Sequence, residues 1–154
     1  MEARTHIRRS LCLCICICLV AAGCGMQKLS ADYTGLDGEW SIVELNGEAL
    51  TSGEINPLLI FDAGAGRISG DAGCNRISGD ITFARAEKNG LRFQKIISTR
   101  KACIDMRRED QLLKALGDVT GFEKVSRDGY ARAIAFHGSD GRRLFVVSQP
   151  FIPS

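Results

Sequence analysis

Apolar and polar residues alternate with a period of two along most of the chain beyond residue 35, as they do in strands that bury one face. The alternating runs are short, and turn-forming sequences separate them, with Asn-Gly at 46–47 and 89–90 as the clearest breaks. The predicted strands are residues 36–45, 58–61, 67–71, 76–83, 91–96, 121–126, 130–136 and 143–148.

Two of these strands carry the same pentapeptide, Arg-Ile-Ser-Gly-Asp, which occurs at 67–71 and again at 76–80. Turn-forming residues lie between the copies. Asp71 and Asn75 can hydrogen-bond to their own backbone, and Gly73 can adopt a positive φ. The pattern predicts a tight strand–turn–strand unit with Cys74 at its apex.

Beyond residue 101 the apolar positions follow the spacing of an amphipathic helix, with charged residues between them. We expect one helix over about 105–116, with Asp105 as its N-cap and Gly117 at its end. Helix and strands together predict an α+β domain of mostly antiparallel β-structure. The sheet is expected to be curved or closed as a small barrel, with the single helix covering an open end or edge.

The first 23 residues are organised like a secretory signal, with a basic start, an apolar segment over 11–22 and small residues at 21–23. The apolar segment is shorter than the roughly 20 residues that a membrane-spanning helix needs. Cys24 follows directly, so the segment resembles a bacterial lipoprotein signal. The resemblance implies cleavage before Cys24 and lipid attachment to it. Ordinary cleavage near Gly23, which would leave a free cysteine, is the alternative.

This interpretation divides the chain into a signal peptide (1–23), a lipidated tether (24–35) and a folded domain (36–150). The lipid on Cys24 would bind the protein firmly to a membrane. Gly25, rather than Asp, follows the cysteine and predicts sorting to the outer membrane, facing the periplasm, in a host that has one.

Charge and cysteine content narrow the possible partners. Residues 24–154 hold 17 basic and 17 acidic residues, and this balance argues against nucleic acid as a partner.

Four of the seven cysteines lie in the apolar segment and leave with it. Cys74 and Cys103 remain after Cys24 takes the lipid, and we expect them to form a disulfide in an oxidising compartment. A free, reactive thiol at Cys74 is the alternative.

Candidate catalytic and metal-binding residues are few. His137 is the only histidine after the signal, which excludes a zinc site with two histidines, and no Gly-x-Ser-x-Gly sequence occurs. We expect His137 at a solvated strand end, and we predict neither a metal nor a cofactor. Trp40 is expected to anchor the core. Glu109 and Asp110, at the start of the helix, suit its macrodipole without a catalytic role.

Two stretches resemble a known family. Residues 68–79 contain a Gly-Cys-Asn motif and residues 97–103 a Thr-x-x-x-Cys motif. In this order they look like the META domain of HslJ-like proteins, over about residues 36–148. The chain departs from the family at Ile77, where an aromatic residue is common, and at Lys101, where Met is usual. The residues that match the family motifs are Gly73, Cys74, Asn75, Gly79, Thr99 and Cys103.

The resemblance implies a small β-barrel with a helix, and it points to envelope lipoproteins linked to stress and drug tolerance. The family has no established catalytic residues. We therefore expect a non-enzymatic binding or accessory module whose partner is an envelope protein or an apolar ligand. The alternative is an inhibitor of an attacking lysozyme or protease. A hydrolase is less well supported, because the sequence lacks convergent catalytic residues.

Overall fold

A computed structural model describes residues 33, 35–50, 57–84 and 87–150 of the chain. Nine strands and one helix lie within these ranges. The strands are Gly38–Leu45 (β1), Glu48–Ala49 (β2), Leu58–Asp62 (β3), Arg67–Asp71 (β4), Arg76–Phe83 (β5), Leu91–Ser98 (β6), Val119–Val125 (β7), Tyr130–Gly138 (β8) and Arg143–Pro150 (β9), and the helix is Arg107–Asp118 (α1).

The strands form one sheet in the order β6-β5-β4-β3-β1-β9-β8-β7, with β2 paired to β1. The pairings are antiparallel throughout the described residues. The sheet curls until its two terminal strands meet. Gly90, just before β6, bridges Gly121 in β7, and the N–H of Phe122 donates to the carbonyl of Asn89 (3.1 Å). We call this junction the seam. The predicted α+β class with a curved, mostly antiparallel sheet is confirmed.

The helix occupies the edge that the seam leaves open. Since β6 and β7 meet only near Gly90 and Gly121, the rest of the outer edge of β6 has no strand neighbour among the described residues. Helix α1 packs against β6 and inserts Leu112, Ala115 and Leu116 into the core. The single amphipathic helix therefore covers a sheet edge, as the sequence predicts.

The repeated pentapeptide pairs with itself. In the β4–β5 hairpin each isoleucine of one copy lies opposite the glycine of the other, at Ile68–Gly79 and Ile77–Gly70. Both glycines permit close approach of a neighbouring chain. A Cβ on Gly70 would collide with the carbonyl of Leu58, and one on Gly79 would lie 2.9 Å from a backbone oxygen of β6. The duplication thus builds a hairpin that packs closely on both sides.

The core fills the inside of the curled sheet. Trp40 is 1% exposed, and its ring N–H donates to the carbonyl of Leu36 (2.7 Å), which confirms its predicted role as a core anchor. Phe136 lies at the centre of an aromatic cluster in which ring centroids are 4.7–6.2 Å apart. Its neighbours are Phe61, Phe93, Phe122 and Phe145. Contacts of this kind stabilise the core beyond the burial of apolar area.

Core packing begins before residue 36. The ring of Tyr33 is buried, with its centroid 4.3 Å from that of Phe83, and its hydroxyl donates to the carbonyl of Gly90 (3.2 Å). The carbonyl of Gly35 accepts a hydrogen bond from Arg132. The packed domain therefore includes two residues that the sequence interpretation places in the tether.

The predicted start and end of the helix are wrong by two residues. Helix α1 spans Arg107–Asp118, and its N-cap is Met106, which makes no side-chain capping hydrogen bond. The carboxylate of Asp105 still accepts from the N–H of Arg107 (3.0 Å), as a capping side chain does, and it also accepts from the Arg107 guanidinium. Gly117 lies inside the last turn, and the chain enters β7 directly at Val119.

The predicted signal peptide, the lipid site Cys24 and the tether up to residue 32 lie outside the described residues. Within the described ranges, no helix has both the length and the apolar character to span a membrane.

Candidate functional site

The turn between β4 and β5 is held by its own polar groups. Asp71 accepts a hydrogen bond from the N–H of Gly73 (2.8 Å), and the N–H of Ala72 donates to the carbonyl of Asn75 (2.8 Å). Gly73 has φ 115°, a conformation that side-chain-bearing residues rarely adopt. These contacts aim Asn75 inward and leave Cys74 at the apex, as the sequence predicts.

Asn75 connects the turn to the helix. It is 1% exposed, and its backbone N–H and side-chain Nδ2 both donate to the carboxylate of Glu109, each at 2.9 Å. Glu109 itself is 4% exposed and also accepts from the hydroxyl of Ser98 (3.3 Å). Charge-assisted hydrogen bonds are stronger than neutral ones, so this buried carboxylate fixes the first turn of α1 to the hairpin.

The other side of Asn75 holds the segment that leads to the helix, residues 99–106, which we call the pre-helix loop. The Oδ1 of Asn75 accepts from the hydroxyl of Thr99 (2.9 Å) and from the N–H of Lys101 (2.7 Å). The hydroxyl of Thr99 also accepts from the N–H of Arg76 (3.1 Å). Lys101 contributes only backbone groups, which explains how this position departs from the family's usual Met without loss of the contact.

Cys74 and Cys103 are joined by a disulfide, with their Cα atoms 6.4 Å apart. The bond ties the hairpin apex to the pre-helix loop, two residues beyond the point that Asn75 holds. Neither sulfur is a free thiol in this arrangement. Formation of the bond in the cell remains a prediction.

Five of the six motif residues therefore come together, and we call the contact that they form the brace. Gly73, Cys74, Asn75, Thr99 and Cys103 all lie where the hairpin apex meets the pre-helix loop. Gly79 stands apart, in the middle of β5, where its lack of a side chain admits β6. This group of residues holds the chain together and contains no pairing of a nucleophile with a base.

A cleft opens beside the brace, between the end of β6 and α1. Its volume is about 510 Å³, and Ile96, Ile97, Met106 and Leu113 supply its apolar surface. Arg100, Lys101 and Asp110 supply charge at its walls, and the remaining lining comes from Asn75, Ser98, Thr99, Ala102 and Glu109. A cavity of this size is in the range that holds small ligands or an inserted side chain.

A bulge in β6 shapes the cleft. The register against β5 shifts between Ser78 and Asp80, and Lys95 adopts φ 51°. Alternation along the strand therefore changes phase, so Ile96 packs against the core while Ile97 is 67% exposed. Bulges commonly re-aim side chains next to binding sites.

A second depression, of about 270 Å³, lies beside Trp40. The guanidinium of Arg132 sits over the Trp40 ring, 4.9 Å from its centroid, and also donates to the carbonyl of Gly35. The chain's own contacts occupy this surface, which makes it a weaker candidate than the cleft.

His137 lies near the seam, away from the cysteines. Its ring is half-buried against Gly121, so it is less solvated than a free strand end. Gly90, which bridges Gly121, and Leu91 lie at one end of the β5–β6 hairpin. Ser98 and Thr99 lie at the other end. His137 and Cys74 consequently lie at opposite ends of the molecule. No cluster of three or more potential metal ligands occurs among the residues that the structure describes.

Asp105 is the residue with the clearest electrostatic perturbation. Hydrogen bonds from the Arg107 side chain and backbone lower the pKa of its carboxyl group from 3.8 to about 2. Both side chains are exposed to solvent, so the pair orders the loop before the helix rather than marking a reactive group.

Glu109 is the functional residue that sequence reasoning misses. The sequence places it on the polar side of an amphipathic helix and assigns it to the macrodipole. The structure buries it and makes it the main acceptor for Asn75. Its spacing on the same helical face as Leu112 and Leu116 is the available signal, since positions three and seven residues apart share a face.

Comparison with known proteins agrees with this geometry. A family model described as META domain matches residues 32–150. A protein from Burkholderia xenovorans, solved by NMR, has a TM-score of 0.58 and 21% identity, with 77% of this chain and 87% of that one covered. A second NMR structure has a TM-score of 0.50 and 17% identity, with coverage of 73% and 89%. These similarities show a shared fold. None of the curated proteins is a detectable sequence relative.

Proposed function

This chain belongs to the META domain family, and from that premise and the braced cleft we propose that it is a non-catalytic binding module of the bacterial envelope. In this proposal the module is held to the membrane, outer where the host has one, by lipid on Cys24. The cleft between β6 and α1 receives an apolar ligand or a side chain of an envelope protein. The physiological role would lie in envelope stress or drug tolerance.

The cleft is the observation that carries the proposal. Part of its apolar surface is exposed to solvent, because no other described part of the chain covers it. Ile97 is the clearest case, at 67% exposure. Rigid walls reduce the entropic cost of binding. One wall is a strand, and the opposite wall is a helix fixed by Glu109 and Asn75.

The polar groups beside the cleft support a binding role over catalysis. Asn75 and Glu109 hydrogen-bond to each other, and Cys74 is in a disulfide. A catalytic site needs a nucleophile or base free to meet substrate, with a perturbed pKa. The lowered pKa of Asp105 belongs to an exposed loop pair instead.

A cleft-blocking variant tests the binding role. We expect Leu113→Arg to place a charge in the apolar part of the cleft and to abolish binding of an apolar fluorescent probe. Gln111→Arg, on the exposed side of the same helix, is the matched control and should bind like wild type. Equal binding by both variants, measured by fluorescence titration with circular dichroism to check folding, would contradict the proposed cleft.

Pull-down from envelope extracts separates the two candidate roles. A partner made by the host itself, lost with Leu113→Arg, supports the accessory module. Capture of an added lysozyme or protease, with inhibition of its activity, would favour the inhibitor instead.

The anchor is tested separately. We expect Cys24→Ser to release the protein from membranes or to leave its precursor uncleaved. Unchanged fractionation with normal processing, and no acyl mass on the mature protein, would refute lipid attachment without affecting the cleft.

A further inference from the structure

One side chain is far more exposed than any other large apolar residue that the structure describes. Ile104 reaches 110% relative exposure, whereas Ile97 is 67%, Ile60 40% and Tyr130 36% exposed. It does not line the cleft. A single exposed isoleucine on a mobile loop would need no explanation, so the packing of its neighbours decides what it can do.

The pre-helix loop that carries Ile104 is fixed on both sides of it. Asn75 holds both backbone groups of Lys101, with its N–H at 2.7 Å and its carbonyl at 3.4 Å. Cys103 is bonded to Cys74. After Ile104, the carboxylate of Asp105 accepts from the backbone and the guanidinium of Arg107, at 2.9–3.1 Å.

A protruding side chain on a fixed loop is prepared for binding. Contacts that hold the loop in the free protein remove most of the ordering cost that a flexible loop would bear on association. An aliphatic or aromatic anchor that fills a pocket in the partner can form the centre of a binding interface. The loop therefore has the form of a recognition element.

Charge around Ile104 indicates the chemistry of the partner. Residues 100–108 contain four basic residues and one acidic residue, in a chain that is otherwise balanced. The acidic one, Asp105, already pairs with Arg107. Arg100 and Lys101 are exposed and form no ion pair with the residues that the structure describes. A complementary surface would carry carboxylates around an apolar depression.

Under the proposed lipid anchor, the position of the loop favours a protein over the membrane as the partner. Tyr33 and Gly90 lie at the seam, and Thr99 lies at the other end of β6. Eight strand residues separate the two ends by about 26 Å. The chain therefore reaches the domain at the end opposite Ile104.

We propose that Ile104 is the anchor of a protein-docking surface on the pre-helix loop, and that its partner is a protein with a small apolar pocket rimmed by acidic side chains. The proposal rests on the proposed binding role, and its anchor does not depend on the cleft, since Ile104 lies outside it while Arg100 and Lys101 of the same loop also line the cleft.

Photocrosslinking of the full chain tests the surface. p-Benzoylphenylalanine at position 104 should crosslink a protein in envelope extract, whereas the same group at position 60, another exposed isoleucine, should not. The captured protein is then identified and purified for titration. We expect Ile104→Asp to weaken its binding at least about tenfold, by loss of a buried apolar side chain. Ile60→Asp should leave the affinity within about twofold.

Charge variants and vesicles complete the test. Arg100→Glu with Lys101→Glu should slow association and reduce its salt dependence, whereas Lys88→Glu with Lys124→Glu should not. Equal affinity of Ile104→Asp and wild type would overturn the proposal. So would binding of wild type, lost in Ile104→Asp, to vesicles of phosphatidylethanolamine and phosphatidylglycerol without a protein partner. If Leu113→Arg abolishes probe binding but leaves this interaction intact, the cleft and the loop act separately.

Discussion

The two ends of the β5–β6 hairpin are joined to the rest of the domain by different kinds of contact. At the seam, Gly90 and Gly121 bring two backbones into direct contact, and a Cβ on Gly121 would lie 2.7 Å from the His137 ring. At the other end, side chains do the joining: Asn75, Glu109 and a disulfide span a wider gap. Backbone contact leaves no room for a ligand, whereas the side-chain brace leaves the cleft open.

The difference teaches why the family motif clusters at one end. Many local sequences can place a glycine at the seam. The brace, in contrast, requires an amide, a hydroxyl and a carboxylate at matching positions. Asn75 hydrogen-bonds to both the helix and the pre-helix loop. The motif is therefore best understood as what keeps the cleft open and the loop fixed.

Removing the disulfide should have the largest effect on the braced end. Closure of a loop of 29 residues contributes about 3.5 kcal/mol to the free energy of unfolding in the chain-entropy model. We expect the Cys74→Ser, Cys103→Ser variant to lose about that amount in urea denaturation. Wild type treated with dithiothreitol should match the variant, and the variant should not respond to the reductant. Two free thiols in a non-reduced peptide map would contradict the bond.

Glu109→Ala should break the same end through its polar contacts. The change leaves the backbone N–H of Asn75 without an acceptor and its Nδ2 with only the longer bond to the carbonyl of Lys101, at an expected cost of about 3 kcal/mol in unfolding free energy. Asp110→Ala, its exposed neighbour, should stay within about 0.5 kcal/mol of wild type. A similar effect of both substitutions would mean that the burial of Glu109 contributes nothing.

The seam should respond less strongly. Gly121→Ala forces the His137 ring to move, which we expect to cost about 1–2 kcal/mol. Gly117→Ala meets nothing within 4 Å and lies in the helix, so it should instead stabilise by about 0.5–1 kcal/mol. Adding His137→Ala to the Gly121→Ala variant should restore part of the loss. Hydrogen exchange at Phe122 reports on the seam directly.

The smallest effect concerns pH at the pre-helix loop. Because the folded pKa of Asp105 is lowered to about 2, its pair with Arg107 contributes stability above pH 3.8. That contribution is lost as the pH falls from about 4 towards 2. NMR titration should give a low midpoint for Asp105, and Arg107→Met should return it towards the ordinary value. An unchanged midpoint in the variant would show that Arg107 is not the cause.

Much of this architecture is readable from local sequence because its causes are local. Asn46-Gly47 forms the predicted turn with both residues at positive φ, and the repeated pentapeptide forms the predicted hairpin. The helix boundary is harder to predict, since Asp105 accepts from the N–H of Arg107 as a capping residue does, yet the regular helix begins only at Arg107.

The site was less predictable because it depends on contacts between distant parts of the chain. Glu109 and Asn75 are 34 residues apart, and the helical spacing that places Glu109 on the face of Leu112 and Leu116 does not indicate which residue it contacts. The cleft requires the bulge at Lys95. It also requires that β6 and β7 meet only near Gly90 and Gly121, so that the rest of the outer edge of β6 is left for the helix. The motif residues could be located in the sequence, but their role as a brace could not.

The disulfide also changes what a protease can do to this protein. The loop that it closes contains all of β5 and β6, together with the turn at 87–90 between them. A cut in that turn would leave the two fragments covalently connected, and the β5–β6 pairing would hold the new ends in place. Such a nicked molecule would migrate as one chain until reduced, and would then separate into two.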